Sequence, residues 1–290
     1  MAATWQVLRA VELDALPGLR RAFLAALQAA RTDTDLDAIE AALAGHDTEG
    51  ALALIPIDAL TAALEAILPT LEAAAAAART AIAPELGATL GAEEVAVRLA
   101  LPLNQLAPGV LESIQQDGAT LVREVTEETR AAIREAIARA YESHTAPRVA
   151  AKQLMDIVGL TRRQSDAVDA YRALLTDEGR DLDQVERMTA RYAKKLLKQR
   201  AEMIARTETN AAVNAGQRAT WRDLTESHLL DPSAWRREWL TVLPAPGVCP
   251  ICLPLDAQTA PIHGVYPDGT DGPPAHPNCR CTEVLVPAAG

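Results

Sequence analysis

The side chains best equipped for chemistry gather at one end of the chain: all four cysteines lie within residues 249–290. They read as Cys249-Pro250-Ile251-Cys252 and, further on, His276-Pro277-Asn278-Cys279-Arg280-Cys281. Two cysteines separated by two residues can turn both thiolates to one tetrahedral ion, and a second knuckle completes the set, with bonds of about 2.3 Å to sulfur and about 2.0 Å to nitrogen. Five candidates therefore compete for four positions. Cys249, Cys252 and His276 come first, joined by either Cys279 or Cys281, with the four cysteines alone as the alternative. The expected ion is Zn²⁺ in a structural role, because a segment rich in proline and loops has little core and a metal supplies folding energy that burial does not. Two disulfides, or four ordinary thiols, are the competing readings. A catalytic zinc would keep one coordination position open and is usually built from His and carboxylate.

Other chemistry-bearing residues are weaker signals. Arg206 and Glu208 are expected on a helix, where an Arg and a Glu read as a half-buried ion pair holding helix and tail together, not as a catalytic pair. No nucleophile, base or oxyanion arrangement accompanies them. Arg187, Arg191, Lys194, Lys195 and Lys198 recur every three or four residues and form a basic stripe. Such a stripe is either a solvated helix face or a surface for phosphate or an acidic partner. Trp221, Trp235 and Trp239 are expected to anchor the tail module through apolar area, a base-stacking platform being the sharper alternative. His263 reads as a solvated loop residue.

These groups must be positioned by helices. Aromatic residues are 3% of the chain and hydrophobic residues 49%, a composition that suits helices packed through Ala and Leu and excludes an aromatic-rich sandwich. Leu60, Leu64, Ile67, Leu68 and Leu71 keep helical spacing, with Pro56 and Pro69 expected to interrupt it. Breaks are expected at Pro84 to Gly87, at Leu101-Pro102 and at Pro108-Gly109. A long helix is predicted from Ala119 to Tyr141, then a short one capped by Thr145 and stopping at Gly159. Thr161 and Gln164 have the form of a capping box. Further helices span about 182–200 and continue through Ala219. From Asp231 onward proline crowds the chain, so only short strands such as Glu238–Leu243 and Thr282–Val286 fit.

The fold class expected is mainly α, in three parts: an Ala/Leu-rich helical region over 1–145, a helical core with the basic helix over 146–230, and a Pro-rich Cys/His metal-binding α+β module over 231–290. The net charge of −11 argues against indiscriminate coating of nucleic acid. Only residues 151–222 carry more basic than acidic side chains, 14 against 10. No run is long and apolar enough for a membrane helix, and Met1–Leu13 has no apolar signal core, which points to a reducing compartment and away from disulfides.

The second half resembles the phage head-morphogenesis family, the Mu F-like minor head proteins of tailed bacteriophages. The matching text runs over roughly residues 149–286: Val149 to Leu154, Gly159 to Gln164, Arg200 to Glu208, Asn214 to Gln217, Trp221, Trp239 to Thr241, the first knuckle, Leu255-Asp256, and Pro274 to Cys281. The ordered combination is far more specific than any one motif. Pro244-Ala245-Pro246-Gly247 and Ala257 depart from the family's usual text around the first knuckle. The resemblance implies a non-enzymatic virion protein that joins the portal during head assembly in the host cytoplasm and influences DNA packaging or delivery. Its implied partners are the portal, with the major capsid or scaffold protein and packaged DNA beyond it, and no membrane. A DNA-binding zinc module, or an enzyme built on the same module, is the alternative.

Overall fold

The computed structural model describes residues 2–91, 93–101, 108–241 and 249–288. The chain is mainly α, with a three-stranded antiparallel sheet near its end. In chain order the helices are α1 (Ala2–Thr32), α2 (Leu36–Ala44), α3 (Thr48–Ala53), α4 (Ile57–Glu65), α5 (Leu68–Leu90), α6 (Glu93–Leu99), α7 (Pro108–Glu142), α8 (Pro147–Ile157), α9 (Arg162–Asp177) and α10 (Leu182–Glu226). The strands are β1 (Trp235–Leu240), β2 (Thr259–Ala260) and β3 (Thr282–Pro287). Among the described residues, no helix is long and apolar enough to cross a membrane.

Local signals account for many boundaries. The Asp35 and Asp47 carboxylates accept from amides at the starts of α2 and α3, and Thr161 with Gln164 forms the expected capping box of α9. Gly159 and Gly91 take positive φ, 85° and 68°, which glycine adopts without a Cβ clash. Several expectations give way to packing. The interruption expected from Pro56 and Pro69 is present, since α4 starts after Pro56 and ends at Glu65 and Pro69 sits in the first turn of α5, but Pro84 lies inside that helix. Burial of Leu71, Ala74, Ala75, Ala78, Ile82 and Leu86 along one face carries α5 past Pro84 to Leu90. Pro108 opens α7, at a helix start where proline is tolerated. Thr145 caps nothing; Ala146 holds the N-cap position of α8 and makes no side-chain bond. The two helices expected across 182–219 are one continuous α10. The Pro102 break, the end of the predicted strand at Val242-Leu243 and the turn Pro244 to Gly247 lie outside the described residues.

The chain forms two compact units, each drawn from separated stretches. One contains Arg21–Ala66 and Ala119–Glu202. Here α2 packs on α8, and a Cβ at Gly159 would stand 2.4 Å from Leu27 Cδ2. Arg200, buried, donates to Gly159 O at 2.8 Å and pairs with Glu128. The other contains Met1–Arg20, Ile67–Gly118 and Met203–Gly290. The alanine run of α5 is explained there: a Cβ at Gly216 of α10 would lie 2.2 Å from Ala75 O, so two helix backbones touch where both residues are small. Beyond that crossing, buried Asp223 is held by Arg98 at 2.6 Å and by Arg79 at 3.5 Å.

In the same unit the sheet runs β2-β1-β3. Arg237 faces Leu285 and Trp239 faces Glu283, so period-two alternation puts all four on one face, with Arg237 and Glu283 as diagonal neighbours.

Candidate metal centre

A ladder of amides on α10 seats the platform. Asn210, Asn214 and Gln217, at i, i+4 and i+7, are each 0% exposed. Asn210 and Asn214 donate to Cys281 O at 3.1 and 3.4 Å, and Gln217 donates to Glu283 O at 3.0 Å. Thr282 Oγ1 donates back to Asn214 Oδ1 at 2.9 Å. The edge of β3 thus finds its partners on a helix, which satisfies carbonyls that would otherwise be buried alone. Asn210 also donates to the Glu12 carboxylate of α1 at 2.6 Å. Burial pushes the Glu12 carboxyl above its usual range, and the Asn210 bond and Arg9 oppose this.

Two loops rise from this platform. In the first, the amides of Cys252 and Leu253 donate to Cys249 O at 3.1 and 2.9 Å, which folds the knuckle tightly. Asp256 accepts from the Thr241 amide at 2.9 Å and ties down the loop's far end. In the second, the Cys279 amide donates to His276 O at 3.1 Å, with Asn278 at φ 66° between them. Asn278 is clamped by α10: its amide donates to Thr207 Oγ1 at 2.8 Å, and Arg206 donates to its side-chain oxygen. Arg206 therefore does join helix and tail, through an amide. Glu208, two residues on and half-buried, lies on another side of the helix.

The loops bring together all five donors the sequence singled out. Cys249, Cys252 and His276 form one group with ligand atoms within 4.8 Å of one another, and Cys252, Cys279 and Cys281 form another, sharing Cys252. His276 Nε2 lies 3.2 Å from Cys249 Sγ and 3.1 Å from Cys252 Sγ, and Cys252 Sγ lies 3.8 Å from Cys279 Sγ. A tetrahedral ion with bonds of about 2.3 Å to sulfur sets its sulfurs about 3.8 Å apart. His276 Nδ1 lies 2.8 Å from Pro277 O. A carbonyl only accepts, so Nδ1 is the donor there and Nε2 is the ring nitrogen that faces the sulfurs. All four cysteines are free thiols, without a disulfide.

Electrostatics sort the thiols. Hydrogen bonding from Cys281 holds Cys279 down at about 5, which makes it a thiolate. The same bond, with burial, pushes Cys281 far up. Burial and the neighbouring Cys279 push Cys252 up to about 12. A thiolate is the metal-binding form, and a divalent cation is the natural counter-charge for sulfur kept this dry. The donor set, the sulfur spacing and the oriented imidazole fit a metal ion.

The sheet has a second centre of order. Arg237 and Glu283, each 0% exposed, pair at 2.7 Å. Arg237 also donates to the carbonyls of Pro261, Gly264 and Asp271. Tyr266 OH donates to Glu283 at 2.9 Å, and Arg218 to its other oxygen at 3.2 Å. Burial and the Glu283 charge push the Tyr266 hydroxyl well up, so it remains a donor. Sequence reading passed over this knot, yet Arg237 alternates with Trp235 and Trp239, and that spacing could have flagged it as inward-facing. Trp221 and Trp239 are buried, at 1% and 0% exposure, as anchors, which rules them out as a stacking platform. His263 is exposed. Arg187, Arg191, Lys194, Lys195 and Lys198 are all exposed and belong to the other unit.

A family model described as Phage Mu protein F like protein matches residues 122–284, more than half of the chain. No curated protein and no solved structure matches.

Proposed function

Because the chain belongs to the phage Mu protein F-like family, we propose that it is a structural, non-enzymatic minor head protein of a tailed phage. In this reading it docks on the portal during head assembly in the host cytoplasm, stays in the virion, and affects packaging or delivery of DNA. The observation that supports the structural role is the gathering of five protein donors in two groups of three that share Cys252, enough to fill a tetrahedral shell from the protein alone, whereas a catalytic zinc keeps one position for water or substrate.

Cys249, Cys252, His276 and Cys279 are the proposed ligands of a Zn²⁺ ion, and Cys281 donates its S–H to the Cys279 sulfur. Sulfur with imidazole selects zinc among the common divalent ions. The ion's part is to fix both loops on the α10–β3 platform. Arg206, Thr207, Asn210 and Asn214 position the second loop, and the basic stripe of α10 is the partner-facing surface of the other unit.

The test is co-expression with the phage's portal protein, followed by isolation of portal rings. The account expects the protein to copurify with the rings, and expects a Cys249→Ser/Cys252→Ser variant to lose zinc and ring association together. Absence of the unaltered protein from the rings contradicts the docking role.

A further inference from the structure

We infer that the row Arg187, Arg191, Lys194, Lys195 and Lys198 is a landing surface for the phosphate backbone of duplex DNA. This deepens the reading above and rests on it in one respect, that a head component meets packaged DNA.

The row is built as a line of charge. At about 1.5 Å and 100° per residue, its cations follow one another at about 4.5–6 Å, except the adjacent Lys194 and Lys195 at about 1.5 Å, and keep within an arc of about 100° over a length of about 16 Å. All five are exposed. Among the described residues none has an ion-pair or hydrogen-bond partner, although the chain holds 39 acidic side chains against 28 basic. Elsewhere in the same unit arginines are neutralised: Arg134 by Glu49, Arg139 by Asp169, Arg148 by Asp37 and Glu40, Arg162 by Glu135, Arg172 by Asp169. Within the row the cations neighbour one another, and acidic side chains stand at helical spacing only at its two ends, Asp183 four residues before Arg187 and Glu202 four residues after Lys198. Arg187–Arg191, Arg191–Lys195 and Lys194–Lys198 are i,i+4 like-charge pairs, and Arg191–Lys194 and Lys195–Lys198 are i,i+3 pairs. Like charges at these spacings work against the helix, and an external polyanion relieves them.

The shape of the row favours nucleic acid over an acidic protein. Protein interfaces are organised around apolar or aromatic anchors. The exposed large apolar side chains of α10, Leu182 and Met203, fall outside the arc. A duplex presents phosphates about 3.4 Å apart along each strand, so the row spans about five of them, one per cation. Contact of this kind reads charge and not sequence, and the net charge of −11 confines it to this face.

The experiment measures binding of the full zinc-loaded chain to a fluorescent 30-base-pair duplex of mixed sequence, by anisotropy, between 50 and 200 mM NaCl. The expected log–log salt slope is about −4, a loss of about 250-fold over that range, and is the same for unrelated sequences. Lys194→Gln/Lys198→Gln flattens the slope by about 2, and Arg191→Glu/Lys194→Glu/Lys198→Glu abolishes binding at unchanged circular dichroism and melting temperature. Three results overturn the inference: no binding at 50 mM salt, a slope indifferent to these substitutions, or polyglutamate competing as well as DNA at equal charge. The last assigns the row to an acidic protein. DNA binding by a chain that never enters heads leaves the surface standing and removes the head-protein reading.

Discussion

Replacing Arg237 with methionine keeps the length of the side chain and removes its charge from a site that is 0% exposed. The Glu283 carboxylate then loses its partner at 2.7 Å and keeps Arg218 at 3.2 Å and Tyr266 at 2.9 Å. The carbonyls of Pro261, Gly264 and Asp271 lose their donor. Breaking a buried pair from one side costs about 3–5 kcal/mol, and the surviving Arg218 places the expected loss near the lower end, about 3 kcal/mol. Removing the carboxylate as well, in Arg237→Met/Glu283→Leu, leaves no stranded charge and is expected to recover at least about 1 kcal/mol relative to the single variant. Urea unfolding in zinc-containing buffer, followed by tryptophan fluorescence, reads this region directly, because Trp221, Trp235 and Trp239 are three of the four tryptophans. An Arg237→Met loss below about 1 kcal/mol, or a double variant that loses the sum of both single losses, would refute the assignment of a stabilising knot separate from the metal centre.

Gly216→Ala is expected to cost about 1–3 kcal/mol despite the better helix propensity of alanine, because its Cβ meets backbone of α5 at 2.2 Å, which cannot swing away; thermal melts check this, and a stabilised variant would show that the helices separate freely. Glu12→Gln removes a carboxyl whose folded pKa is raised by burial while keeping an oxygen for Asn210. A raised carboxyl favours the fold fully below its unfolded value of about 4.5, and that advantage is lost as pH rises through the folded value. The variant should therefore gain on the unaltered protein between pH 4.5 and 7. Parallel melts across that range decide it, and a constant difference would contradict the burial argument.

The donors were legible because ligand spacing within each knuckle is local, and Cys249, Cys252, His276, Cys279 and Cys281 meet as that spacing implies. The capping box at Thr161 was legible for the same reason. What escaped depends on contacts between distant segments. The Ala73–Ala78 run carries no pattern of its own, and its small side chains matter only because Gly216 packs against Ala75. Pro84 reads as a break, yet burial along one face of α5 outweighs one missing hydrogen bond. Asn210, Asn214 and Gln217 are ordinary helix residues by type, and only the carbonyls of β3 opposite them give them a task. Arg237 was passed over, because sequence alone does not reveal a buried glutamate on a strand 46 residues away.

Zinc content and its consequence for the tail test the account most directly. The chain purified under reducing conditions is expected to hold one equivalent of zinc. Chelation should then open the two loops, residues 249–256 and 276–281, to protease, while β1, β3 and α10, held by the Arg237–Glu283 knot and the amide ladder, stay protected. Less than a few tenths of an equivalent of zinc, or cleavage of those two loops that chelation does not change, would contradict it.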